Sequence, residues 1–146
     1  MNYELLKLDN QLCFALYACS REVTKRYKPF LDELGLTYTQ YITLLVLWEK
    51  DDVTVKELGA RLHLDSGTLT PLLKKLEAMG LVERTRDKQD ERNVYVRLTE
   101  AGVKMKDKAV EIPTKLFCST GLSAEEAILL KDKLKDMLNT LENIES

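Results

Sequence analysis

The sequence predicts a mainly α fold with a small β-ribbon: a winged helix-turn-helix held between long terminal helices. Three observations point to it. Between Val53 and Thr99, Leu58 and Leu62 share a helical face, Asp65, Ser66 and Gly67 interrupt the run, and Leu69, Leu72, Leu73 and Leu76 resume it until Met79 and Gly80. That is the outline of two short helices joined by a polar turn. Directly after it, Leu81–Thr85 and Val94–Leu98 flank a charged tip, and Val94, Val96 and Leu98 alternate with Tyr95, Arg97 and Thr99 at the period of a half-buried strand. Both ends of the chain also carry more helical apolar surface than a compact winged helix needs.

In chain order, the first helix spans Leu5 to Leu34, with Leu5, Leu8, Leu12, Ala15, Leu16, Cys19 and Val23 spaced by threes and fours. Pro29 should kink it or end it irregularly. Tyr38 to Glu49 is a strongly apolar helix with Thr37 as its cap, expected to form the buried spine. Asp65 or Ser66 caps the second helix of the helix-turn-helix. Pro71, beyond its first turn, predicts a late or loose start. A further helix runs from Thr99 through Val103, Met105 and Val110 to about Cys118, bent at Pro113. Gly121 breaks it, and Ser123 with Glu126 makes a capping box for a last amphipathic helix through Ile128, Leu130, Leu134, Met137, Leu138 and Leu141. The 146 residues thus read as one chain in which 35–99 form the DNA-binding region and 1–34 and 100–146 are dimerisation helices.

In such a fold the second helix of the pair enters the major groove of double-stranded DNA and presents its first turn to base edges and phosphates. Here that turn carries Asp65, Ser66, Gly67, Thr68 and Thr70, followed by Lys74 and Lys75 for phosphates. The ribbon should project Arg84, Arg86, Lys88 and Arg92 outward, toward a narrow minor groove where the potential is most negative. Asp90, two residues before Arg92, could hold that guanidinium in place.

The formal net charge of -2 argues against indiscriminate nucleic-acid binding. From Lys74 to Arg97, however, seven Lys and Arg face five Asp and Glu, so a weak cationic side is local. A small footprint per chain and the surplus apolar terminal helices both suggest a two-fold homodimer on a palindromic operator.

No segment approaches a membrane span, and the start of the chain lacks the blocks of a secretion signal, so a cytoplasmic protein without membrane contact is expected. Three cysteines in a reducing compartment are core filling or redox chemistry rather than a disulfide framework. There is no CxxC, and the one histidine, His63, is expected to cap or face solvent in the turn region. Neither a metal nor a cofactor is expected. On pattern alone Cys13 reads as one more small apolar residue on a helix.

The DSGTLTPLLKKLE helix, the RTRDKQDERNV wing and the LTEAG restart resemble the MarR family of winged-helix transcription regulators. NQLCFALYACSREVTKRYKP and LTYTQYITLLVLWE are similar, more narrowly, to its organic-hydroperoxide resistance branch, and the likeness covers nearly the whole chain. The resemblance implies a dimeric repressor that releases its operator when a peroxide oxidises one cysteine. It places that cysteine on Cys13, its phenolic partners from the neighbouring subunit on Tyr27 and Tyr38, and a resolving cysteine on Cys118, bonded to Cys13 across the dimer.

The chemistry fits those residue types. A thiolate attacks a peroxide oxygen, and tyrosine hydroxyls donating to sulfur favour it. Leu12, Phe14, Leu16 and Tyr17 around it would favour an organic hydroperoxide over hydrogen peroxide. Cys19 is expected in the core; exposed, it would compete with Cys118 as resolver. Two other classes remain at this level: a MarR-type repressor answering a small aromatic ligand with Cys13 as filler, and a thiol peroxidase, for which the chain lacks a reductant-docking motif. An enzyme is not expected.

Overall fold

Capping residues decide where most elements begin. In the computed structural model, which describes residues 1–144, Thr37 accepts from the Gln40 amide at 3.3 Å while the Gln40 side chain accepts from the Thr37 amide at 3.0 Å. This reciprocal box starts α2, Tyr38–Glu49, and satisfies two donors that a helix end otherwise leaves open. Thr54 caps α3 (Val55–Leu62), Asp65 caps α4 (Ser66–Ala78) and Thr99 caps α5 (Glu100–Ala109), each accepting from the amide three residues on. Ser123 and Glu126 form the expected box before α7, Ala124–Ile144.

The helix-turn-helix is closed by two close approaches. His63 takes a left-handed conformation, φ 56°, at the end of α3, and the Leu64 amide bonds back to the Gly59 carbonyl. A Cβ on Gly59 would lie 2.8 Å from the Leu64 carbonyl oxygen, so only glycine lets the turn fold this tightly. At the far end of α4, Gly80 (φ +75°) turns the chain, with Leu81 bonded to Leu76 and Gly80 to Glu77 in a Schellman pattern that leads straight into the strand beginning at Val82.

Three strands follow an antiparallel order β1-β3-β2, with β1 at Val53–Thr54, β2 at Val82–Arg86 and β3 at Val94–Leu98. The ribbon forms as expected, with β3 on its expected residues, β2 one residue later than Leu81–Thr85, and Arg84 opposite Val96; β1, paired Val53 to Val96, is an addition to it. Leu44, Leu58, Leu73, Leu76 and Val96 are completely buried and form the centre of this region, each aliphatic side chain contributing roughly 1.5–3 kcal/mol. α2 is the spine, although Leu45 stays exposed.

Several boundaries differ from expectation. The first helix does not start at Leu5: Tyr3–Leu6 and Leu8–Asn10 are separate 3-10 turns, and α1 spans Leu12–Asp32. The Gln11 side chain donates to the Leu5 and Lys7 carbonyls and Asn10 to the Glu4 carbonyl, consuming groups an α-helix would pair internally. Pro29 stays inside α1, and Pro71 stays inside an α4 that starts on time at Ser66. Each removes one bond, to Lys25 and Gly67 respectively, without ending its helix. The expected Thr99–Cys118 helix is two, α5 and α6 (Ile112–Ser119), with Pro113 in the first turn of α6, where its missing N–H has no intrahelical acceptor to lose.

The chain divides into two compact units, Met1–Val110 and the segment from Glu111 onward. Glu145 and Ser146, the end of the expected 100–146 segment, lie outside the described residues. Among the described residues, no helix is long and apolar enough to cross a membrane.

Candidate DNA interface and thiol site

α4 buries Leu69, Leu72, Leu73 and Leu76 and leaves Ser66, Gly67, Thr68, Thr70, Lys74 and Lys75 exposed, so the expected contact residues share its uncovered side. Asp65 is exposed too, but its carboxylate accepts from the Thr68 amide at 2.8 Å. That amide bond holds the carboxyl below the ordinary range. Asp65 is therefore a cap first. Beside this face lies a cleft of about 260 Å³ lined by Thr37, Thr39, Gln40, Thr68, Pro71, Leu72 and Lys75. The N-terminal threonines of α2 thus flank the recognition helix, a neighbour that sequence spacing did not indicate.

The four wing cations part company. Arg92 stands 90 % exposed, gripped by Asp90 through Nε at 3.0 Å and Nη2 at 3.1 Å. The same carboxylate accepts from the Arg92 amide at 3.1 Å, and the guanidinium beside it keeps the Asp90 carboxyl low. Lys88 is exposed at the tip. Arg86 is exposed and folded along its own hairpin, donating to the Glu91 carbonyl at 2.6 Å. Arg84 does not project outward as expected. Strand alternation puts it on the side of the buried Val82, where it bonds Glu77 of α4 at 3.0 Å.

The tyrosines form a cluster larger than expected. The Tyr27 and Tyr38 rings lie 4.8 Å apart by centroid, and Tyr41 joins them at 5.6 Å from Tyr27. Tyr38 and Tyr41, three apart on α2, share a helical face, and that spacing was the available signal. Burial, then the neighbouring Tyr38 and Tyr41 phenols, pushes Tyr27 up to about 12; burial also raises Tyr38. These hydroxyls remain neutral donors at physiological pH.

Cys13 is exposed in the first turn of α1, rather than mid-helix as a start at Leu5 would place it. Gln11, whose side chain is committed to Leu5 and Lys7, gives α1 no side-chain cap. The sulfur thus sits at the helix end, not within its body. Cys118 is exposed near the end of α6, and Cys19, expected in the core, is exposed as well. Cys13 and Tyr27 are 14 residues apart on one helix, about 21 Å at 1.5 Å per residue. Within one chain they cannot touch.

A helix-turn-helix with an uncovered first turn on its second helix, continued into a hairpin that holds up a chelated arginine, defines a winged-helix DNA-binding regulator. The family described as transcriptional regulator SarA/Rot matches residues 25–109. The organic hydroperoxide resistance transcriptional regulator of Bacillus subtilis (strain 168) is 52 % identical over 95 % of each chain. Reduced AbfR bound to DNA superposes with a TM-score of 0.82 at 36 % identity over the whole of both chains. AbfR of Staphylococcus epidermidis in its crystal structure gives 0.77 at 34 % identity, covering 96 % and 97 %. The disulfide-formed state of AbfR gives only 0.64 at 35 % identity, covering 97 % and 94 %.

The chain belongs to the MarR-type, SarA/Rot family of winged-helix transcription regulators. It is a transcriptional regulator homologous to the organic hydroperoxide resistance regulator.

Proposed function

We propose that the chain is a cytoplasmic repressor that binds a palindromic operator as a homodimer and releases it when an organic hydroperoxide oxidises Cys13. The Cys13 thiolate attacks the peroxide oxygen distal to the organic group, the O–O bond breaks, and the departing alkoxide takes a proton to leave as the alcohol. The resulting sulfenic acid condenses with the Cys118 thiol of the partner subunit, forming the S–S bond and releasing water. Tyr27 and Tyr38 of the partner donate hydrogen bonds to the sulfur before attack and to the leaving oxygen during it.

The observation that carries this reading is the placement of Cys13 and the tyrosine cluster at opposite ends of α1. A two-fold axis near Ser20, midway between Cys13 and Tyr27, would bring each thiol to the other chain's phenols. Dimerisation is supported further by apolar side chains that one chain leaves uncovered: α7 buries none of its 21 residues, and Leu12, Tyr17, Leu129 and Ile144 are more than half exposed. The likeness to reduced, DNA-bound AbfR exceeds that to its disulfide form, which supports reading this conformation as the operator-binding one. The roles of Ser66, Gly67, Thr68, Thr70, Lys74, Lys75, Lys88 and Arg92 in DNA contact belong to the same proposal.

Cys13→Ser tests it. The variant should bind operator as the wild type does and stay bound after an alkyl hydroperoxide that releases the wild type. Release of Cys13→Ser by the same dose would refute sensing at this sulfur and favour a ligand-responsive regulator.

A further inference from the structure

The pair Glu77–Arg84 sits where the recognition helix hands the chain to the wing. α4 ends, Gly80 reverses direction, and β2 leaves two residues later. A hairpin attached through so short a turn has one pivot. Glu77 supplies a second attachment: its carboxylate accepts from the Arg84 guanidinium at 3.0 Å and from the Arg84 amide at 3.3 Å. One side chain therefore holds both backbone and head group of the third residue of β2.

The burial of this pair differs from that of a surface ion pair. The Arg84 side chain is only 24 % exposed against 90 % for Arg92. Its Nε is buried without a hydrogen-bond partner among the described residues. An orphaned donor in a half-buried pair offsets much of what the pair contributes to stability. What the arrangement supplies is a fixed geometry, because a bidentate contact at two atoms allows one angle between helix and strand. Arg84 also stands opposite Val96, the buried centre of β3, so the anchored residue lies at the middle of the ribbon's ladder.

We infer that Glu77 and Arg84 are positioning residues for operator binding: they set the wing at the angle to α4 that lets Arg92 and the first turn of α4 meet adjacent grooves together. This rests on the reading of Arg92 as a DNA contact. It also reverses a simple electrostatic expectation, since removing an acid from a DNA-binding surface should strengthen binding.

The test is a double-mutant comparison on full-length protein, measuring affinity for operator and for unrelated duplex, with thermal unfolding to show that each variant is folded. Glu77→Gln should weaken operator binding about tenfold and leave unrelated duplex unchanged, and Arg84→Lys, which keeps the charge and the amide contact but replaces the planar guanidinium that meets Glu77, should do the same. Arg92→Ala should cost less affinity in the Glu77→Gln background than in the wild type, because the arginine is already misplaced. Unchanged or tighter operator binding by Glu77→Gln, or effects of the two substitutions that simply multiply, would overturn the positioning role. If Arg92→Ala alone left operator affinity intact, the reading of the wing as a DNA contact would fall instead, whatever Glu77→Gln did.

Discussion

The winged region and the terminal helices solve the problem of apolar surface in opposite ways. α2, α3, α4 and the ribbon bury one another's side chains, and Leu44, Leu58, Leu73 and Val96 have no solvent contact. α7 buries nothing, and α1 buries only Leu31. The difference teaches that the winged region buries its apolar surface within one copy, whereas the terminal helices leave theirs open, as the proposed dimer requires. Sensing and binding are then separable by mutation in one direction: the terminal helices can be broken without unfolding the reader.

The largest effect should come from α7. Leu134 and Leu138 line an open apolar groove with Phe117 and Leu130. Replacing both leucines with Glu should abolish the dimer in sedimentation and weaken operator binding by about a hundredfold or more, as a two-site grip becomes a one-site one. The winged region should still unfold cooperatively. A variant that stays dimeric would break the comparison at its centre.

Next comes the reader itself. The Trp48 indole donates to the Gly102 carbonyl at 2.9 Å, and a Cβ on Gly102 would collide with the Leu81 carbonyl oxygen, so α5 lies directly on the exit from the α4 turn. Gly102→Ala should destabilise the chain by roughly 1–3 kcal/mol, read as a shift in the denaturant midpoint. An unshifted midpoint would mean that this contact is not part of the self-contained core. A smaller effect, on binding and not on folding, is expected at the wing: Arg92→Ala should weaken operator binding roughly tenfold with an unchanged melting temperature.

The smallest effect lies outside physiological conditions. Tyr27 ionises in the folded chain near 12, against 10.0 for a free phenol. The unfolded chain therefore loses its proton first as the pH rises. The stability associated with the neutral phenol is present in full below about 10 and is lost between about 10 and 12. A phenolate absorbance titration should show the Tyr27, Tyr38 and Tyr41 phenols lagging, with Tyr27 the last to ionise. Titration of all six tyrosines together near 10 would show that the cluster is open to water.

Most of the winged region was legible because its signals are local. Thr37, Asp65, Thr99 and the Ser123–Glu126 pair are capping residues whose hydroxyls or carboxylates act within three positions, and Leu69, Leu72, Leu73 and Leu76 keep helical spacing. What escaped was non-local or ambiguous in period. Leu5, Leu8 and Leu12 repeat at intervals that a 3-10 turn satisfies as well as an α-helix, so the true start at Leu12 was hidden, and with it the position of Cys13 in a first turn.

Strand β1 has two residues and exists only through its pairing with β3. Arg84 could have been placed correctly, since it stands two residues after Val82 and must share its side of the strand. Its partner Glu77 could not be foreseen from spacing, because the turn geometry between them decides the contact. The tyrosine cluster was legible as residue types, but its distance from Cys13 was hidden: Cys13 and Tyr27 lie at opposite ends of α1, so the proposed pairing of thiol and phenols needs a second copy.

The central claim is that an organic oxidant, one sulfur and the operator grip are coupled through the dimer. The most direct measurement titrates the operator-bound protein with an equimolar alkyl hydroperoxide and follows, in the same sample, operator release and the subunit crosslink by non-reducing peptide mapping. The account predicts that release and a Cys13–Cys118 bond between subunits rise together and reverse together on reduction. Full oxidation of Cys13 with the operator still bound would contradict it.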